Sequence, residues 1–202
     1  MASRKIGIYA GTFDPVHAGH VAFALQAVEA AGLDQLYFLP ERRPRGKHHV
    51  EHFGHRVAML REAIRPHPQF AVLELPDTSF SVRYTLPRLR KQFGRKQLFF
   101  LFGSDVINHI QQWPQAERLL KYELIIGLRG KDNSEKLQRA IAEWKVQPKA
   151  VTLLNSHAPE VSSGKIRRAL RLGRRAKGSL PSVARYSNRH WLYVTLAQVD
   201  TT

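Results

Sequence analysis

The chain has 202 residues, 43% of them hydrophobic, which suits one domain with a sizeable core. It contains no cysteine, which excludes disulfides, thiolate metal sites and cysteine nucleophiles. Lysine and arginine number 32 against 16 aspartates and glutamates, a formal net charge of +16 and a pI of about 10.7, so the surface attracts polyanions, whether nucleotide, pyrophosphate, RNA or DNA.

In chain order, Arg4 to Ala10 reads as a buried strand ending at Gly11, followed by an Ala- and Leu-rich helix from about Gly19 to Ala31. Gln35 to Leu39 is a second strand closed by Pro40, and Glu41 to His52 is a basic loop broken by Pro44 and Gly46. A helix is expected from Phe53 to Arg65, stopped by Pro66 and Pro68, and a strand from Phe70 to Leu75. Ser81 to Phe93 reads as a helix, with Pro87 best placed in a first turn if the helix begins late. Gln97 to Phe102 is an almost wholly apolar fourth strand, and helical pieces surround Trp113 and Pro114. Strands at Glu123 to Leu128 and Ala150 to Leu154 flank a helix from Ser134 to Trp144, and two short helices finish the chain.

Alternating strands and helices with continuous apolar strands predict an α/β fold: a Rossmann-like doubly wound sheet, mainly parallel, in a single domain over residues 1–202 with a small helical C-terminal portion from about 161. No apolar run approaches the ~20 residues of a bilayer span. The N-terminus lacks a signal-peptide layout, so a cytoplasmic protein without a membrane partner is expected. Ligands of such sheets bind at the carboxyl ends of the strands, and the chemistry-bearing motifs fall there.

The first motif, Gly11-Thr12-Phe13-Asp14-Pro15-Val16-His17-Ala18-Gly19-His20, joins the first strand to the first helix. A helix start offers unpaired N–H groups and a positive dipole end, which suit phosphate. Gly11 and Gly19 permit close backbone approach, Thr12 adds a hydroxyl, and His17 and His20, three apart, share a helical face as two donors. A single histidine here would usually be a cap or a surface residue. A zinc site would need third and fourth ligands that the motif does not supply.

The second motif is Val161-Ser162-Ser163-Gly164-Lys165-Ile166-Arg167. Ser162 or Ser163 caps a helix whose N–H groups can face an anion, and Arg167 offers a fork for phosphate oxygens; alone, it reads equally as a capped surface helix. The third constellation is Gly103-Ser104-Asp105, just beyond the fourth strand, with Trp113 eight residues after Asp105. Asp105 can accept hydrogen bonds from ribose hydroxyls or cap a helix. Trp113 is a ligand platform or, as tryptophans more often are, core.

The first motif resembles the signature of the HxGH nucleotidyltransferases, and its wording is nearest to bacterial nicotinate-mononucleotide adenylyltransferases. Relatives that make coenzyme A precursors usually carry Thr where His17 stands. Val161 to Arg167 resembles the family's ISSTxIR, with Gly164 in place of Thr. Pro44 to Lys47 resembles PPHK, with Gly46 in place of His, and Arg56 to Leu60 matches the helix that follows. Thr78 to Ser81 resembles TSYT, with one extra residue before Thr85 and Arg83 near a family Asp. Trp191-Leu192-Tyr193 resembles the usual end, so the likeness runs from about Lys5 to Tyr193.

The resemblance implies AMP transfer from ATP to nicotinate mononucleotide, giving nicotinate adenine dinucleotide and pyrophosphate. The implied catalytic residues are Thr12, His17, His20, Lys47 and Arg167. ATP contacts are implied for Gly11, Phe13, Gly19, Gly103, Asp105, Ser162, Ser163 and Ile166, and acceptor contacts for Trp113, stacked on the pyridine, and Thr85. Magnesium is expected to ride on the ATP phosphates and keep most of its waters, with no metal ligand assigned to the protein. Two other readings compete: the same transfer to nicotinamide mononucleotide or another phosphate, and a basic nucleic-acid binder on this fold. The charge lies in three segments, Arg42 to Lys47, Arg88 to Lys91 and Lys165 to Lys177, and two of these adjoin expected phosphate contacts. A positive funnel over the site follows, with non-specific polyanion binding at low salt.

Overall fold

The computed structural model describes residues 3–130, 132–155 and 161–194. Among the described residues six strands form one sheet: β1 (Lys5–Gly11), β2 (Gln35–Pro40), β3 (Phe70–Val72), β4 (Gln97–Gly103), β5 (Glu123–Leu128) and β6 (Ala150–Asn155). Every pairing is parallel and the order is β3-β2-β1-β4-β5-β6. The helices are α1 (Ala18–Ala31), α2 (Phe53–Ile64), α3 (Thr85–Phe93), α4 (Ala116–Leu119), α5 (Ser134–Ala142), α6 (Ser163–Arg171) and α7 (Pro181–Arg189).

The apolar strands are continuous because both faces of the sheet are covered. Side chains alternate between the faces: Leu98, Phe100 and Phe102 of β4 enter one core with Leu86 and Leu89 of α3 and Ile141 of α5. Phe99 and Leu101 enter the other with Phe23 and Ala27 of α1, Met59 and Leu60 of α2 and Val183 of α7. The chain is therefore the doubly wound α/β sheet expected, wholly parallel. Its direction of progression reverses between β1 and β4, which opens a crevice beyond their carboxyl ends.

Three boundaries differ from expectation. β3 stops at Val72 because Leu75 precedes Pro76, which restricts the residue before it and removes a donor. α3 begins at Thr85, four residues late, which puts Pro87 in its first turn, where no backbone donor is needed. α5 ends at Ala142, and Trp144 folds under into the first core. Of the expected C-terminal helical portion, residues 195–202 lie outside the described residues.

Candidate active site

A cleft of about 700 Å³ lies over the ends of β1, β4 and β5, walled by the loop after β1, the basic loop before α2 and the start of α6. Its floor is aromatic. Phe13, 2% exposed, sits among Tyr9, His20 and Phe38 at ring distances of 5.3, 5.1 and 5.5 Å. Gly11 is not in the cleft lining, and its lack of a side chain serves this packing, since a Cβ there would come within 2.8 Å of the Phe13 ring. Gly19 and Gly103 do line the cleft, at the first turn of α1 and the end of β4.

His17 caps α1 with extended backbone and is 7% exposed. Its backbone N–H donates to Nδ1 of His20 at 3.2 Å. Nδ1 must therefore be the acceptor, which assigns the His20 proton to Nε2. The two rings stack, centroids 3.7 Å apart, and Nδ1 of His17 is buried with no protein partner. Burial, with a smaller push from Arg129, lowers the His17 pKa to about 4. Burial also holds His20 well below the ordinary range, helped by His17, Arg129 and Lys47. Both imidazoles are neutral near pH 7, so each can offer a ligand a hydrogen bond but no charge.

Lys47 reaches across the cleft and donates to Oγ1 of Thr12 at 2.8 Å. Gly46 before it has φ +67, a conformation glycine adopts without strain, and its side is open to solvent. The motif's departure from His at this position thus suits the turn that presents Lys47.

The second motif docks on the first. Ser162 caps α6, its hydroxyl accepting from the Lys165 N–H at 3.3 Å, and Ser163 donates to the Pro15 carbonyl at 2.9 Å. Arg167 donates from Nη1 to the Asp14 carbonyl at 2.5 Å and lies 3.5 Å from the Asp14 carboxylate, leaving its other donors for a ligand. Ile166, 1% exposed, does not line the cleft; it anchors the helix from beneath. A Cβ on Gly164 would meet nothing within 4 Å, so the missing Thr costs a hydroxyl and no packing.

Asp105 sits in a 3₁₀ turn, Ser104–Val106, outside the cleft lining, its carboxylate 3.3 Å from Nη2 of the cleft residue Arg129. Thr85 and Trp113 do not join the main cleft. Thr85, 1% exposed, accepts from the Ser81 N–H and borders a second cavity of about 10 Å³ with Glu41, Asp77 and Phe80. Trp113 is half-buried against Phe80 and Phe102, at 6.0 and 5.7 Å. That cavity holds about one water, so a pyridine ring would enter only if its walls, Phe80 among them, moved. Arg83 lies over the exposed ring of Tyr84, at 5.2 Å.

Sequence reasoning missed three organisers. Arg129, at the end of β5, is a cleft cation and the charge that helps depress both histidines. Arg56, 1% exposed, donates to the carbonyls of Thr12, Glu41, Arg42 and Glu51 and so ties the basic loop to the first motif. An arginine beside Val57 on a helix facing the core was the available signal. Asp14, 3% exposed, accepts from the Tyr193 hydroxyl at 2.7 Å, a contact no local pattern announces.

The cytidylyltransferase-like family model matches residues 8–169. The chain is 32% identical over 198 residues to a probable nicotinate-nucleotide adenylyltransferase of Neisseria gonorrhoeae, covering 94% of this chain and 98% of that one. It is 32% identical over 196 residues to a Thermus thermophilus protein described in the same words, covering 94% and 99%. A solved structure of Plasmodium falciparum nicotinic acid mononucleotide adenylyltransferase complexed with NaAD superposes with a TM-score of 0.76 at 22% identity, over 94% of this chain and 97% of that chain, a likeness of fold. The parallel sheet, the histidine pair at its switch point and these likenesses agree: the chain belongs to the cytidylyltransferase-like family and, within it, to the nicotinate-nucleotide adenylyltransferases.

Proposed function

We propose that the chain transfers AMP from ATP to nicotinate mononucleotide, releasing pyrophosphate and forming nicotinate adenine dinucleotide for NAD synthesis in the cytoplasm. The carrying observation is the neutral, stacked pair His17–His20 at a helix start, with Lys47 and Arg129 facing the same space. That set suits binding and polarising a triphosphate rather than supplying an attacking nucleophile.

None is required. The acceptor's phosphate is largely dianionic near neutral pH, its second pKa being about 6. One of its oxygens attacks the α-phosphorus, the bond from that phosphorus to the bridging oxygen breaks, and pyrophosphate leaves with the electron pair. The protein aligns the two phosphates and offsets the charge. His20 donates from Nε2, and His17 adds a second imidazole. Lys47, held on Thr12, and Arg167, held on Asp14, face the outer phosphates, and the Ser162–Ser163 helix start adds N–H donors. Gly19, Phe13, Gly103 and Asp105 shape the remainder of the nucleotide site.

Among the described residues no group of three or more His, Asp or Glu can hold a metal ion. The cleft carboxylate of Asp14 is already engaged by Tyr193 and Arg167. These residues fit a magnesium ion held by phosphate oxygens and water, not a protein cage. When bound it would neutralise phosphate charge. No described helix is long and apolar enough to cross a membrane.

One observation favours a second acceptor. The cavity beside Thr85 is bordered by the carboxylates of Glu41 and Asp77, and Oδ2 of Asp77 is buried without a partner, a setting kinder to an amide donor than to a nicotinate carboxylate. Pyrophosphate release with ATP and each of nicotinate and nicotinamide mononucleotide tests both readings.

A further inference from the structure

Asp14 is the one acidic side chain in the main cleft among the described residues, where it would repel a triphosphate unless its charge is taken up from behind. It is 3% exposed, so water does little of this. Three groups contact it, the Tyr193 hydroxyl at 2.7 Å, the Glu51 N–H at 3.4 Å and Arg167 Nη1 at 3.5 Å, and the buried Arg56 guanidinium, already bonded to four backbone carbonyls, acts on it through space. The hydroxyl makes the short bond, and Arg167 stays at ion-pair distance, spending its short bond on the Asp14 backbone carbonyl.

We infer that Tyr193 is a positioning residue for the proposed adenylyl transfer: by donating to Asp14 it satisfies the carboxylate, so that the Arg167 guanidinium stays turned to the phosphates. Without the hydroxyl, the nearest mobile donor to a desolvated carboxylate is Arg167 itself. It would close onto Asp14 as a bidentate pair and be lost to the ligand.

The backbone supports a built contact. Tyr193 has φ +65, a left-handed conformation rare for a large side chain. It is held there by a turn whose parts are fixed. Leu192 is buried, its N–H donates to the Ser187 carbonyl at 3.0 Å, and the wholly buried Ser187 hydroxyl donates to the Leu192 carbonyl at 3.3 Å. Strain that the surroundings over-determine is characteristic of functional contacts. Burial raises the Tyr193 pKa, which keeps the hydroxyl protonated and donating. The C-terminal turn thus reaches the first motif across 179 residues of sequence.

The inference rests on the adenylyl-transfer reading, and its test separates the two. Affinity for a non-hydrolysable ATP analogue and pyrophosphate release are measured for Tyr193→Phe in two backgrounds, the natural chain and Arg167→Lys. Tyr193→Met, which also lacks a donor, repeats the cycle should the Phe variant fold poorly. The expected result is about tenfold weaker analogue binding with Arg167 present and less than twofold weakening with Arg167→Lys, since the hydroxyl acts through that arginine. Equal losses in both backgrounds, or no loss in either, overturn the inference, because a merely structural tyrosine would not distinguish them. If the natural chain transfers AMP to no acceptor, the functional reading fails, while the binding cycle still decides the role of Tyr193.

Discussion

The imidazole rings of His17 and His20 lie face to face, 3.7 Å apart and 29° from parallel, with the backbone N–H of the first bonded to Nδ1 of the second. Two protonated rings could not occupy this geometry without strong repulsion. The pair is therefore neutral near pH 7, as the proposed role of two donors to an anion requires. His20→Ala should lower turnover roughly 100- to 1000-fold, the usual scale for deleting a donor aimed at developing phosphate charge. Circular dichroism and a melting curve on the same sample should show a folded protein, because His20 faces the cleft.

The pair also makes the ligand-free protein acid-sensitive. His17 titrates at about 4 when folded, below its ordinary value, so between pH 6.5 and about 4 the unfolded chain binds the extra proton. Stability attributable to His17 is complete above the unfolded pKa and is lost as the pH falls through this window, on the order of 3 kcal/mol in all. Urea titrations from pH 7 to 4 should show the loss, and His17→Asn should reduce it. Bound triphosphate supplies the opposite charge, so nucleotide binding near pH 5 should take up protons, seen as a buffer-dependent heat.

Arg129 should reveal itself by the same titration. It lies beside both histidines and lowers their pKa values through space. Arg129→Ala should move the His17 titration upward in an NMR pH series and weaken nucleotide binding. An unmoved titration would place its guanidinium with Asp105 alone.

Trp113 has two roles to separate. It packs on Phe80 and Phe102, so Trp113→Ala should cost about 2–3 kcal/mol of stability, less than a fully buried aromatic would. If it also meets the acceptor, Trp113→Phe should keep most of the stability and raise the acceptor KM more than the ATP KM. Parallel changes in both constants would make it core only.

The strands were legible because sheets buried on both faces demand unbroken apolar runs, and Gln97 to Phe102 and Glu123 to Leu128 are such runs. The first motif was legible because strand, turn, paired histidines and helix occur within one stretch. What escaped has a common physical cause. Asp14 and Tyr193 meet only through the tertiary fold. Arg129 is one cation among 32 Lys and Arg, indistinguishable until β5 places it at the cleft. Gly11 looked like a phosphate glycine, and the ring that needs it, Phe13, lies two residues on and is aimed back by a φ of +50. Thr85 borders a cavity that Phe80 also lines, and Trp113 packs on the same Phe80 from outside it, an arrangement no spacing foretells.

The charge excess should act on association. Exposed Arg168, Arg171, Arg174, Arg175 and Lys177 continue from α6, whose first residues border the cleft. The value of kcat/KM for ATP should fall as salt rises, because the screening length shrinks from ~10 Å at 0.1 M to ~3 Å at 1 M. Selective binding of one nucleic-acid sequence or structure at near-physiological salt should be absent.

The most direct test is pyrophosphate release by the purified protein with ATP, magnesium and a panel of phosphate acceptors. The account predicts one pyrophosphate per acceptor consumed, with nicotinate mononucleotide turned over faster than nicotinamide mononucleotide and nicotinate adenine dinucleotide as the product. No release with any acceptor, from a folded protein that binds ATP, would contradict it.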